Sequence, residues 1–330
     1  MKKSFLALAL MSAFSGAALA QSAVTVYGVV DMGLARDDNG AKTNSTTTKL
    51  DSGLQSGSRL GFKGTEDLGN GLKANFVLEM GLSADTGASD QGGLAFGRQA
   101  YVGLSGDFGV VNFGRQKSLT YVASESIDPF GVGLAGNMHR LFGTVTRRDN
   151  AATYITPNMS GFAAAVQYGF GEVAGNNSAN RAASVSATYA AGPVLAALVY
   201  EKLNDAAGND ALAGKKTLAG GSYDFGMAKA HAAYETIKGG TADANVWMIG
   251  TTVPFGAGAF LADYTRKTDK ALATENKSSQ IALGYTYSLS KRTNVYTSFS
   301  RTANDNNVKV NVATAGATDK LFNVGIRHAF

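Results

Sequence analysis

Three histidines, His139, His231 and His328, are the first residues to consider for chemistry, and there is no cysteine. None of the three is spaced for a zinc site, and without thiolates a structural metal centre has too few ligands. Gly131 to Gly136 spell "GVGLAG", which matches the GxGxxG of dinucleotide-binding turns. That pattern binds pyrophosphate only when it leaves a buried strand and opens a helix, and neither context is present, so it reads as flexible loop. A Ser–His–Asp set is not excluded by counting, but no GxSxG elbow occurs and the histidines are scattered. Charged residues give a better lead. Arg59 is in phase with Gly61, Lys63 and Thr65, with Leu60 and Phe62 opposite; Arg147 is in phase with Asp149 and Thr153, opposite Tyr154. Side chains with alternating phase lie on strands, and fixed charges on one face of a strand suit selection rather than catalysis.

The elements that carry these residues alternate throughout. In "LFNVGIRHAF" one face reads Phe322, Val324, Ile326, His328 and Phe330, and the other Asn323, Gly325, Arg327 and Ala329. "LKANFVLEMGL" puts Leu72, Ala74, Phe76, Leu78, Met80 and Leu82 together, with Lys73, Asn75 and Glu79 opposite. "SQIALGYTYSL", "FAAAVQYGF", "MAKAHAAYE" and "VWMIGTTVPF" repeat the period of two, the mark of a strand with one apolar face. Short turns such as "DLGNG", "SGDFG", "YDFG" and "PFGAG" carry Gly, Asn, Asp or Pro, which accept turn dihedrals cheaply. Longer polar segments, such as "DDNGAKTNSTTTKLDSG" and "NDAAGNDALAGKK", trade places with them. Seven short turns and eight long loops imply about sixteen strands.

"MKKSFLALALMSAFSGAALA" has a basic start, a short apolar run and small residues at Ala18 and Ala20, and reads as a secretory signal cleaved after Ala20. Cleavage removes Lys2 and Lys3, lowering the formal net charge from +5 to +3, and leaves residues 21–330 as one domain with no composition shift. An exported chain with no cysteine must be held by a large core or by a closed hydrogen-bonded ladder. No later apolar run reaches the ~18 residues of a spanning helix, so a membrane would be crossed by strands. Apolar residues outward, polar residues inward and no open edge are what lipid requires of a sheet. A barrel of about sixteen strands also leaves water inside. The fold class expected is all-β: a transmembrane antiparallel barrel with a pore.

"SAVTVYGVVDMGL", "SRLGFKGTEDLGNGLKANFVLE", "GRQAYVGLSGDFGVVNFGRQ" and the terminal "GIRHAF" resemble the trimeric general porins of Gram-negative bacteria, in the beta-proteobacterial flavour of Neisseria, Bordetella and Comamonas relatives. The resemblance runs from Gln21 to Phe330. It implies short periplasmic turns, long extracellular loops and a third long loop folded into the lumen. It also implies a homotrimer in the outer membrane, among outer-membrane lipid and lipopolysaccharide. Phe330 resembles the terminal aromatic that the barrel-assembly machinery reads, and it would also serve as one more interfacial ring. "VTVYGVV", apolar on both faces, would suit a subunit contact.

The same resemblance implies a constriction. The connection at about 118–146 is the candidate loop, with Glu125 and Asp128 as its acids and Pro129, Phe130 and Gly131 as its bend. Cation-preferring relatives often carry "PEFGG" at that bend, where this chain has "PFGVG" and one carboxylate fewer. Opposite the loop, Arg59, Arg98 and Arg147 match the family's arginine cluster, with Arg148 a neighbouring candidate and Lys63 on the same side. The direction of Arg98 rests on the resemblance alone. Arginine is always charged, and in a pore ~10 Å wide, near the screening length at physiological salt, such a cluster attracts anions. A passive channel for ions and small hydrophilic solutes, mildly anion-preferring, is expected. It needs no cofactor, with loop-bound calcium left open, and no nucleic-acid partner. A substrate-specific channel, or a barrel enzyme or adhesin, stands as the alternative.

Overall fold

The structure, a computed structural model, describes residues 23–41, 43, 45–271 and 276–330. The expected export signal, residues 1–20, lies outside the described residues. Sixteen barrel strands follow in chain order. The first half comprises β1 (Ala23–Asp38), β2 (Thr46–Ser52 continued by Arg59–Gly69), β3 (Leu72–Ser83), β4 (Gln99–Gly106), β5 (Gly109–Lys117), β6 (Arg147–Ile155), β7 (Phe162–Gly169) and β8 (Ala182–Ala191). The second comprises β9 (Val194–Leu203), β10 (Gly214–Asp224), β11 (Lys229–Gly239), β12 (Ala242–Phe255), β13 (Gly258–Asp269), β14 (Asn276–Ser288), β15 (Thr293–Asn304) and β16 (Thr318–Ala329). A two-residue strand, Ala88–Ser89, extends the line of β4 against Leu82 and Ser83.

Each strand pairs antiparallel with its chain neighbours, and β16 returns to β1 from Val29↔Ala329 to Asp38↔Lys320. Closure leaves no edge, so every strand's backbone groups find partners in the ladder. Alternation follows the sequence closely. On β16, Phe322, Val324, Ile326 and Phe330 are exposed while Asn323 is buried. On β1, Val24, Val26, Val30 and Leu34 face out, each at least 40 % exposed. Its other face is not free for a subunit: Val29, Asp31 and Ala35 are buried, and the Tyr27 hydroxyl donates to the Glu79 carboxylate inside. Outward aromatics gather near strand ends, with Tyr168 and Phe170 4.9 Å apart and Tyr223 and Phe225 4.6 Å apart, as interfacial girdles do.

Three features depart from the sequence reading. The polar stretch after β1 is not all loop: Thr46, Thr47 and Thr48, β-branched and at ease in a pleat, begin a strand against β1. Loops and turns do not alternate everywhere, since Gly240 and Thr241 alone join β11 to β12. The inner face is not polar throughout either. Val199, Leu218, Val246 and Met248 point inward from β9, β10 and β12 and are buried.

What covers them is the segment between β5 and β6. Its helix α1 (Leu119–Ile127) lays Leu119, Ala123 and Ile127 on that inner patch, joined by Met138, Leu141 and Phe142. Ile127 and Met138 are fully buried, each worth ~1.5–3 kcal/mol relative to exposure. The third long connection therefore lies inside the barrel, as the resemblance implied.

Candidate pore constriction

Ser118 starts the inward turn. Its hydroxyl accepts from the Tyr121 amide at 3.1 Å, capping α1, and donates to the Val145 carbonyl at the loop's far end. At the other end of α1 the Ile127 carbonyl meets His231 Nδ1 at 2.7 Å, while His231 Nε2 lies 3.1 Å from the Thr252 hydroxyl. His231 is buried and bonds the loop to β11 and β12.

Asp128 then makes the bend. Its carboxylate accepts from the amides of Phe130 at 3.0 Å, Val132 at 2.9 Å and Met138 at 3.1 Å. Burial pushes its pKa up to about 6. The group is 4 % exposed and turned into its own loop, so it does not line the passage as expected of an acidic pore residue. Pro129 rests on Gly250, where an added Cβ would lie 2.8 Å from the proline ring. Phe130 is gripped between Gly136 and Gly284, where a Cβ would come within 2.4 Å and 2.8 Å of its ring. Gly131, Val132 and Leu134 all have positive φ, so the "GVGLAG" stretch is a run of tight turns. Beyond it the Leu134 amide donates to the Leu54 carbonyl at 2.7 Å and the Ala135 amide to Ser298 Oγ at 3.0 Å. Arg140 pairs with Asp319, and the Gly143 amide donates to Glu235 Oε2 at 2.8 Å. The loop is thus pinned to β2, β11, β12 and β14 to β16.

The remaining wall is basic. Arg98 precedes β4 and points into the barrel: its Nε donates to Glu79 Oε1 at 2.7 Å and its amide to the Glu79 carbonyl at 3.0 Å. Gly57 makes room, since a Cβ there would stand 2.6 Å from Arg98 Nη1. Arg147 Nε donates to the Arg98 carbonyl at 2.7 Å. Arg59 lies within electrostatic range of Arg98, Glu79 and Arg327, and its Nε has no partner among the described residues. Arg327 Nε donates to Ser56 Oγ at 2.7 Å. Lys63 sits farther toward the turn end of β2, its ammonium 5.2 Å from the Tyr27 ring. Three guanidiniums, those of Arg59, Arg98 and Arg147, therefore gather around the Glu79 carboxylate, and Arg327 stands beside Arg59 within electrostatic range of Asp31.

The parity assigned to Arg147 does not hold. Residues Asp149 and Asn150 form a bulge opposite Arg115, with Asn150 at φ 50°, and the register shifts between Gly114 and Gln116. Arg148, not Arg147, then shares the inner face with Ala151 and Thr153, and it pairs with Glu201 at 2.8 Å. Asp149 stays outside, paired with Arg115. Arg147 enters the cluster from the strand's first position. On the loop, Glu125 is held by Lys117 Nζ at 2.9 and 2.7 Å. Sequence reasoning missed Glu79 and Arg327. Alternation had put both on the inner face, but nothing in one strand's pattern shows which inner residues meet.

A closed sixteen-stranded barrel with an inward loop facing a basic wall is the architecture of a membrane pore. The chain belongs to the Gram-negative porin family, whose sequence profile matches residues 7–307. It is 35 % identical to an outer membrane porin protein of Bordetella pertussis and 36 % identical to outer membrane porin protein 32 of Delftia acidovorans, each alignment covering all of both chains. Among solved structures it resembles the anion-selective porin from Comamonas acidovorans, with a TM-score of 0.82 and 33 % identity over 94 % of this chain and all of that one. The protein is an outer-membrane porin.

Proposed function

We propose that this porin passes small hydrophilic solutes by diffusion and favours anions over cations at the constriction between α1 and the Arg59–Arg98–Arg147–Arg327 wall. One observation carries the reading: the wall sets Arg59, Arg98 and Arg147 around one carboxylate, Glu79, with Arg327 beside Arg59, while the facing loop's acids are engaged, Glu125 by Lys117 and Asp128 by backbone amides. A fixed positive field across a narrow passage raises the local concentration of anions. The relative from Comamonas acidovorans, anion-selective by its title, agrees in direction.

Diffusion through a water-filled pore requires no cofactor. No acid–base–nucleophile set converges among the described residues: His231 holds the loop, and His139 lies beside Tyr121, ring centroids 5.4 Å apart. A homotrimer fits the exposed apolar face of β1, and a solved Vibrio cholerae relative of the same fold is described as a trimer form. Cleavage after Ala20 and recognition of Phe330 during assembly complete the proposed route to the outer membrane.

The test is the zero-current potential across a salt gradient in a planar bilayer, for the native protein and for Arg59→Ser/Arg98→Ser/Arg147→Ser. Stable conductance with an anion-signed potential that collapses in the triple variant is expected. A cation-signed potential in the native protein would overturn the preference and leave the pore.

A further inference from the structure

Away from the pore, β9, β10 and β11 each bring one lysine to the same outer row. Lys202 stands in register with Lys215, and Lys215 with Lys238. All three face outward. Lys202 shares its face with Leu198 and Tyr200, and Lys238 with Tyr234, all exposed, whereas Glu201, Leu218 and Glu235 on the opposite face are buried. Directly opposed like charges destabilise a sheet, and here three stand in a row. Among the described residues Lys202 alone of the three is ion-paired, to Asp210 at 3.0 Å, and Asp210 is shared with Arg181 at 3.1 Å. Lys215 and Lys238 form no ion pair among the described residues; Asp243, in register with Lys238 on β12, makes none with it.

The height of the row is as telling as its charge. Toward the turn end the next outward rows are Tyr200, Thr217 and Thr236, then Leu198, Ala219, Tyr234 and Trp247. Tyrosine and tryptophan on a lipid-facing wall mark the interface, so the lysines sit just beyond it, where headgroup phosphates lie. A second outward basic pair, Arg301 and Lys320 on β15 and β16, has Asp38 in register with Lys320 as Lys238 has Asp243, and it gathers two cations where this row gathers three.

We propose that Lys202, Lys215 and Lys238 form a docking site for a phosphate group on a lipid of the loop-side leaflet. The proposal rests on the reading of this wall as membrane-facing. A phosphate between neighbouring ammoniums turns their mutual repulsion into shared attraction, and its acyl chains would follow the apolar surface below.

The full-length porin, refolded without lipid in a neutral detergent, would be incubated with phosphorylated lipopolysaccharide, with enzymatically dephosphorylated lipopolysaccharide, or with inorganic phosphate. Retained lipid would be read by native mass spectrometry. The native protein and a triple Lys→Arg variant should retain the phosphorylated lipid, and Lys202→Gln/Lys215→Gln/Lys238→Gln should bind it about tenfold or more weakly. Equal retention by the Gln variant, or equal retention of the dephosphorylated lipid, would overturn the site. Displacement by millimolar inorganic phosphate would make the ligand a soluble ion and overturn the lipid assignment. Conductance of the same preparations keeps the two readings apart: the Gln variant should conduct normally, and absence of a channel in the native protein would sink the porin reading whatever the lipid result.

Discussion

Arg98 Nε lies 2.7 Å from Glu79 Oε1, and both side chains are nearly inaccessible, so the centre of the basic wall is a buried ion pair. Removing one partner of such a pair strands the other. Glu79→Ala should cost about 3–5 kcal/mol, read as a lower unfolding midpoint in denaturant. Glu79→Gln keeps hydrogen-bonding capacity toward Arg98 and Tyr27 and raises the wall's net charge by one. Its zero-current potential should move further in the anion direction, and a move toward cations would show that Glu79 does not govern the field.

Selectivity set by fixed charge should fade with salt. The screening length falls from ~10 Å at 0.1 M to ~3 Å at 1 M, so the field of the arginines reaches less far from the wall. At a constant tenfold gradient, the anion-signed potential should shrink as both solutions are concentrated. A potential indifferent to absolute salt would point to size, not charge.

Loop anchorage should respond to pH through Asp128. Its carboxyl ordinarily titrates near 3.8, and burial raises it to about 6 in the folded protein, which therefore binds that proton more tightly than the unfolded chain. The contribution is greatest below about 4 and is lost as pH rises through about 6. His139 opposes it: burial, aided by nearby Lys216, holds the imidazole down from 6.5 to about 4, so its contribution is present above 6.5 and lost as pH falls. In a His139→Gln background, amide exchange at Phe130, Val132 and Met138, corrected for intrinsic rate, should be slower at pH 5 than at pH 7. Asp128→Asn should abolish the difference and loosen the bend, because its NH2 would face backbone donors.

Phe130 should be intolerant of crowding. Gly284→Ala places a methyl 2.8 Å from its ring, and overpacking of this kind costs about 1–3 kcal/mol. Displacement of the loop tip should appear as noisier single channels with altered unit conductance. Unchanged single-channel records would show that Phe130 does not fix the loop.

Much was legible in the chain before any coordinates. The period of two placed Phe322, Val324, Ile326 and Phe330 of "LFNVGIRHAF" on the outer face, and in "SRLGFKG" and "LKANFVLEMGL" it placed Arg59, Lys63 and Glu79 on the inner one. Turn residues separated the strands and left 118–146 as the odd long connection. The failures are equally specific. Arg147 was put in phase with Thr153 because a bulge at Asp149 and Asn150 is invisible to strict alternation. The role of His231 was not legible at all, because its partner, the Ile127 carbonyl, lies 104 residues away in the chain.

Alternation along the chain is enough to specify a closed barrel of about sixteen strands and, away from the bulge at Asp149 and Asn150, which side chains look in or out, because the pleat makes facing a property of each strand alone. It took the folded barrel to show that Glu79 sits among Arg59, Arg98 and Arg147, that Asp128 turns into its own bend, and that three lysines align outside. Those depend on register between strands and on where a loop finds apolar wall to cover, and both are settled only when the sheet closes on itself.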